Sequence, residues 1–182
     1  GDALLVWDAS RRWLETQPSE LRTPETQTDN QTISWTGRRG MVAQAMLWQI
    51  QSAYQLGMGA SDADTQSQWL DRVPAACDIM RAWQPAREFD LPCRYYQNVA
   101  RLQQILGSES GLESASLASV TRALDELAWL AGDTVWGAKA AYYHGVAASL
   151  QRDYSQAVSV WENLLKKDRD VSPEIRKATL FA

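Results

Sequence analysis

The sequence predicts an all-α protein arranged as antiparallel helical hairpins, and three features support this. In nearly every segment with a regular pattern, apolar residues recur every three to four positions, which is the helical period. Runs of β-branched residues alternating with polar ones, typical of strands, are absent from the sequence. Several glycines and prolines, such as Gly57, Gly59, Pro85 and Gly107, fall between the periodic segments, where they predict turns. We therefore expect about eight helices, joined mostly by short turns.

The first predicted helix covers residues 3–15, with the sequence ALLVWDASRRWLE. Its leucine pair, Val6 and Trp13 lie on or near one side, as in an amphipathic helix. Residues 17–36 follow and are rich in Thr, Gln, Ser and Glu without a helical period. This composition predicts one long polar loop.

A second helix is predicted over residues 38–56, with Gly57 and Gly59 as its C-terminal stops. Ser61 and Asp64 resemble a capping box, because a hydroxyl and a carboxylate stand three residues apart. This pair is expected to open the third helix.

Prolines affect the next two predicted helices. Pro74 is expected either to kink the third helix or to start a new one that ends near Trp83. Asp90 is then expected to cap a further helix, with Pro92 in its first turn and Leu106 at its end.

The second half of the chain contains the clearest amphipathic stripe, and Gly132 stops it. Its members are Leu117, Val120, Leu124, Leu127 and Ala131. Further helices are predicted over residues 135–150, over 155–167 and from Pro173 to the end.

Length and charge narrow the class of protein. The 182 residues fit one domain, and the net charge of −4 comes from 22 acidic and 18 basic residues. Basic residues cluster only in pairs, which disfavours nucleic-acid binding. No segment approaches the ~20 apolar residues of a membrane helix, so no membrane insertion is predicted. The start at Gly1 and the end at Phe181-Ala182, within an expected helix, predict a fragment of a longer or processed chain.

Cys77 and Cys93 are the only cysteines. Two cysteines do not form a zinc site, and their spacing is not that of a redox motif. Two free buried thiols are the preferred interpretation. The alternative is a disulfide between neighbouring helices, which would imply an oxidising compartment such as a periplasm.

The segment YYHGVAASLQRDYSQAVSVWENLLKKD, residues 142–168, has a repeat-like spacing: Gly145 is followed by Tyr154, Ala157 and Trp161. The small Gly145 and Ala157 let paired helices approach closely, and Trp161 is expected to fill the gap toward a following unit. Over residues 138–168 this pattern resembles the tetratricopeptide repeat, a helix–turn–helix unit of about 34 residues. Arg152 stands where that family usually has glycine. The resemblance implies an α-solenoid of stacked hairpins, with the upstream hairpins degenerate.

In this family the first helices of successive repeats line a groove that binds peptides or partner helices. The resemblance therefore implies a protein or peptide partner, with Lys139, Tyr142, Tyr143 and Val146 lining the groove. The two tyrosines lie about 100° apart on a helix, so one is expected to pack inward and the other to contact the partner. Trp35, within the polar loop, is a further candidate contact.

The sequence contains no recognisable catalytic motif. His144 is the only histidine, and it is expected to be packed or to face the groove. There is no glycine-rich phosphate loop and no HExxH motif. We expect no catalytic residue, no metal and no cofactor. An enzyme would need a polar pocket around His144 with two carboxylates.

Nine tryptophans are an unusually large share. Trp48, Trp129 and Trp161 accompany apolar stripes, which predicts core packing for them. The alternative is that some tryptophans line a sugar or peptide groove.

The leading prediction is a non-enzymatic scaffold for protein–protein interactions. The composition, rich in Gln, Trp and Ala, suggests a bacterial envelope, secretion or assembly system. It leaves open whether the location is periplasmic or cytoplasmic. The alternative is a helical accessory or sensory domain of a larger regulator or enzyme. The sequence does not indicate an oligomeric state.

Overall fold

The computed structural model describes residues 2–16, 37–82, 87–107, 114–166 and Thr179, and it contains helices without strands over these residues. The helices are α1 (Asp2–Thr16), α2 (Gly37–Met58), α3 (Ala63–Ala82), α4 (Arg87–Gly107), α5 (Ser114–Ala131), α6 (Val135–Leu150) and α7 (Tyr154–Lys166). The predicted all-α class is confirmed. The predicted polar loop at 17–36 lies outside the described residues, and so does the last predicted helix apart from Thr179.

The chain divides into two compact units, residues 1–100 and 101–182, with the division inside α4. In the first unit α2 packs on α1 and on α3. In the second unit α6 packs on α5 and on α7. These contacts join helices that are consecutive in the chain, as in helical hairpins.

Each unit has an apolar core. In the first, the largest fully buried side chains include Ile50, Leu70, Met80, Val42, Val73 and Val99. In the second, every residue of the predicted stripe on α5 is at most 5% exposed, so this prediction is confirmed. The buried side of α6 carries mainly small residues, which let α5 and α7 approach its backbone closely. They are Gly137, Ala138, Ala140, Gly145, Ala147 and Ala148.

The boundary between α2 and α3 differs from the prediction. Gly57 does not stop α2, which continues to Met58. A Cβ on Gly57 would lie 2.8 Å from Leu70 Cγ, so glycine is needed there for the close approach of α3. Asp62 caps α3 instead of the predicted Ser61 and Asp64 pair. Its Oδ1 accepts a hydrogen bond from the Thr65 N–H at 2.8 Å, and this bond lowers the pKa of Asp62.

Both prolines lie inside continuous helices. Pro74 is within α3, and no new helix starts there. The expected start of α4 at Asp90 is wrong, because α4 begins at Arg87 and contains Pro92. Asp90 forms an ion pair with Arg94 one turn later, with 2.7 Å between Oδ2 and Nε. Phe89, in the part of α4 that precedes the proline, is buried.

The turn between α6 and α7 holds Arg152 in a left-handed conformation, with φ of 65°. This conformation costs a non-glycine residue about 1–2 kcal/mol. The Arg152 N–H donates to the Ser149 carbonyl at 3.0 Å, which closes the turn. Asp153 then caps α7, because its Oδ1 accepts the Gln156 N–H at 3.0 Å.

Arg152→Gly is therefore expected to raise the free energy of unfolding by up to about 1 kcal/mol, after the greater flexibility of glycine in the unfolded chain is subtracted. Urea unfolding followed by circular dichroism measures the change. Arg122→Gly is the matched control, because Arg122 is exposed within α5. Glycine disfavours the helix there, so the free energy of unfolding of this variant should fall by about 1 kcal/mol. A loss of stability in both variants would contradict the prediction.

Candidate binding surfaces

A groove of about 1040 Å³ lies in the first unit and is lined mainly by α1 and α2. We name it the α1–α2 groove. Its walls include Val6 and Trp13 of α1, Met41, Trp48 and Gln51 of α2, and Tyr96 of α4. Among the described residues, Asp2 is the only charged one that lines it.

The lining of this groove follows one face of α2. Met41, Gln44, Trp48, Gln51 and Gln55 follow one another at intervals of three or four residues, which places them on one side of the helix. Trp48 is 49% exposed and Met41 is 57% exposed. Large apolar side chains on this face therefore remain in contact with solvent.

An aromatic and cationic cluster holds α1 in place. Trp7 of α1 meets Trp69 of α3 edge to face, with ring centroids 5.4 Å apart. The Arg72 guanidinium lies 4.2 Å from the Trp69 ring centroid and 5.3 Å from that of Trp7. The buried Ser10 hydroxyl donates to the Trp7 carbonyl at 2.9 Å. The ring and cation contacts between α1 and α3 position one wall of the α1–α2 groove.

The expected amphipathic packing of α1 is only partly present. Leu4, Leu5 and Val6 are 46%, 68% and 40% exposed. Ser10 is the buried residue of this helix. Since Val6 lines the groove, part of the apolar side of α1 faces that space and not a core.

The predicted partner-binding residues of the second unit lie together on one side of α6, which we name the α6 aromatic face. Lys139, Tyr142, Tyr143 and Val146 are all half-buried, and Trp136 lies beside them. The Lys139 Nζ is 4.6 Å from the Trp136 ring centroid, a cation–π distance. Trp35, the other predicted contact, lies outside the described residues.

Tyr142 is the member of the tyrosine pair that packs against α7. It contacts a small apolar cluster of Ala138 and Leu164, and burial raises its pKa. Its ring meets that of Tyr143 edge to face, with centroids 5.2 Å apart. Both tyrosines are therefore half-buried on α6. Their role in binding a partner stays a prediction.

The repeat-like residues meet within the hairpin of α6 and α7. A Cβ on Gly145 would lie within 2.8 Å of three atoms of the Trp161 indole, so the indole rests on the glycine. The Trp161 Nε1 donates to the Tyr142 carbonyl at 3.2 Å. Trp161 therefore fills space inside its own hairpin. Its expected position toward a following unit stays a prediction, because residues 167–178 lie outside the described part of the chain. Ala157 is buried, whereas Tyr154 is 63% exposed.

The prediction of core packing is wrong for two of the three tryptophans for which it was made. Trp48 is 49% exposed and Trp129 is 84% exposed. Trp129 follows the buried Leu127 by two residues, about 200° around α5, so it lies on the side away from the stripe. The exposed position of Trp129 could have been predicted from the sequence, because it lies opposite the apolar stripe. The exposed position of Trp48 could not, because apolar residues surround α2 on most sides.

His144 is 3% exposed, so the packed alternative is the one the structure shows. Its Nδ1 lies 3.3 Å from Oδ1 of Asp125 on α5, whose side chain is 66% exposed. Its Nε2 is buried without a hydrogen-bond partner among the described residues. Burial lowers the pKa of His144, and the Asp125 carboxylate opposes this shift. The neutral imidazole is therefore the form that this packing favours.

Stability is expected to depend on pH through His144. Because its folded pKa is below the ordinary 6.5, the unfolded chain binds the proton more readily once the pH falls below that value. The free energy of unfolding should therefore decrease as the pH is lowered from about 6.5 to 5, a range in which carboxylates stay ionised. Urea unfolding at several pH values tests this, with His144→Gln as the non-titrating control. An equal decrease in both proteins would assign the effect to another group.

Within the part of the chain that the structure describes, no group of three or more His, Cys, Asp or Glu side chains is placed to hold a metal ion. None of the described helices has both the length and the apolar character needed to cross a membrane.

Comparison with known proteins gave no match to a family model, to a curated protein or to a solved structure.

Proposed function

We propose that this chain is a non-enzymatic interaction module that binds a helix of a partner protein. The α1–α2 groove carries the proposal, since it leaves Trp48 and Met41 about half exposed. Tryptophan is among the residues that dominate the binding energy of protein interfaces, and methionine is enriched there. A partner that covers these side chains gains free energy from the apolar surface removed from water.

The walls of the groove favour a helical occupant over an extended one. An extended peptide presents backbone N–H and C=O groups that need partners once buried. Against mainly apolar walls many of them would stay unpaired, and each would cost about 1–3 kcal/mol. A helix satisfies these groups internally and presents only side chains to the groove.

The charge and the length of the groove lining define the partner helix further. Asp2 is the one charged residue among the described lining residues, so a lysine or arginine near one end of the partner helix would be attracted to it. The lining of α2 runs from Gly40 to Gln55, which is about 22 Å of helix. The proposed partner segment is an amphipathic helix of about 15 residues, with one apolar stripe and a basic residue near one end.

We also propose that α6 and α7 form a hairpin of the tetratricopeptide type. Three features support this: the indole of Trp161 on Gly145, the burial of Ala157, and the left-handed conformation of Arg152. That conformation accounts for the family's glycine at this position. On this proposal the α6 aromatic face is the alternative surface for the partner.

Selection from a displayed library of helical peptides tests the function. The full chain is the bait, and the library varies the residues of about 15-residue helices. We expect enriched peptides to have large apolar residues at i, i+3 or i+4, and i+7, with Lys or Arg near one end. Failure to enrich any peptide above an unrelated helical bait, or enrichment of proline-rich extended sequences, would contradict the proposal.

A further inference from the structure

Cys77 and Cys93 face each other across the contact between α3 and α4. Both residues are 0% exposed, and both are free thiols. The Cys77 Sγ donates to the Cys93 carbonyl at 3.2 Å, and the Cys93 Sγ lies 3.8 Å from the Cys77 carbonyl oxygen. Each thiol therefore lies against the backbone of the other residue.

We propose that this pair is a covalent cross-linking site, at which a disulfide-bearing oxidant joins α3 to α4 through an intramolecular disulfide. A disulfide requires two cysteines whose Cβ atoms face each other at close range. The reciprocal contacts of Cys77 and Cys93 place each thiol beside the backbone of the other cysteine, which brings the two residues close enough to propose a bond between them.

The reaction proceeds by two thiol–disulfide exchanges. The thiolate of one cysteine attacks the oxidant RSSR, forms a mixed disulfide and releases one RS⁻. The second thiolate attacks the protein sulfur of that mixed disulfide and expels the other RS⁻. In total, two protein thiols and RSSR give one protein disulfide and two RSH. The two cysteines are oxidised, and the oxidant is reduced by the same two electrons.

Burial determines when the oxidant can react. Thiolates are the reactive species, and the hydrogen bond with Cys93, together with burial, raises the pKa of Cys77 in the folded chain. The first exchange therefore takes place while α3 and α4 are apart, during folding or a local opening. Packing of the two helices then brings the second thiol to the mixed disulfide.

The test is to refold the full chain from denaturant in a mixture of oxidised and reduced glutathione. A parallel sample is refolded in reduced glutathione alone. Both samples are denatured without reductant, treated with iodoacetamide and weighed by intact-mass spectrometry. We expect the first sample to be a monomer lighter by two hydrogen atoms than the unmodified reduced chain, with no alkylated cysteine. The second sample should carry two alkyl groups.

Circular dichroism shows whether the cross-link fits the native fold. The oxidised chain should keep the helical signal of the reduced chain and melt at a higher temperature, because a cross-link restricts the unfolded chain. Cys77→Ser and Cys93→Ser are the controls, and each should keep one thiol open to alkylation or glutathione. Two alkylated or glutathione-capped cysteines in the wild type, covalent dimers, or loss of helical signal on oxidation would overturn the proposal.

Discussion

Replacing Gly145 by leucine is expected to lower the free energy of unfolding by about 3 kcal/mol. A Cβ at this position would already fall within 2.8 Å of three indole atoms of Trp161, and the remaining leucine atoms have no space. The indole cannot move without losing its hydrogen bond to the Tyr142 carbonyl. Either the ring leaves its site or α6 and α7 separate. Urea unfolding followed by circular dichroism measures the loss.

Two comparisons make this result specific. Ala118→Leu adds bulk at an exposed position of α5 and should change stability by less than about 0.5 kcal/mol. Trp161→Ala removes the ring that leucine would meet, so Gly145→Leu should cost less in the Trp161→Ala background than in the wild type. An unchanged unfolding curve for Gly145→Leu would remove the evidence that these helices pack as a close hairpin.

Trp48→Ala is expected to weaken binding of a selected helical peptide about 30-fold, or about 2 kcal/mol. Trp48 lies midway along the lining face of α2, where a bound helix would bury its exposed half. The fold should tolerate the change, because Val42, Leu47 and Ile50 remain to hold α2 in the core. Isothermal titration calorimetry measures the affinity, and thermal melting checks the fold.

Trp129→Ala is the matched control, since it removes the same side chain from a site that is 84% exposed and outside the groove. Its peptide affinity should equal that of the wild type. Equal affinities for all three proteins would exclude Trp48 as a binding residue. A loss confined to Trp129→Ala would move the binding surface to the second unit.

The sequence predicts the helices well where one side alone is apolar. The stripe on α5 is an example, because its period identifies the buried side without knowledge of the neighbours. Gly145 and Ala157 were expected to allow close approach of the paired helices, and both are buried in the hairpin of α6 and α7. The contact of the Trp161 indole with Gly145 was not predicted, because spacing along the chain does not determine on which side of the hairpin a large ring finds space.

The α1–α2 groove could not be predicted from the sequence. On α2, Met41, Val42, Leu47, Trp48 and Ile50 point to several sides, so periodicity does not show which side lacks a covering helix. Burial depends on the positions of α1 and α3, which are set by contacts such as the one between Trp7 and Trp69. The start of α4 was predicted wrongly for a different reason: an aspartate two residues before a proline is typical of a cap, whereas Asp90 lies inside the helix and pairs with Arg94.

Hydrogen–deuterium exchange with and without a selected peptide tests the proposed binding site most directly. At saturating peptide, backbone amides of α1 and α2, over residues 2–16 and 37–58, are expected to exchange more slowly. Amides of α6, over residues 135–150, should exchange at the same rate as in the free chain. Protection of α6 without protection of α1 and α2 would contradict the account and assign the partner to the α6 aromatic face.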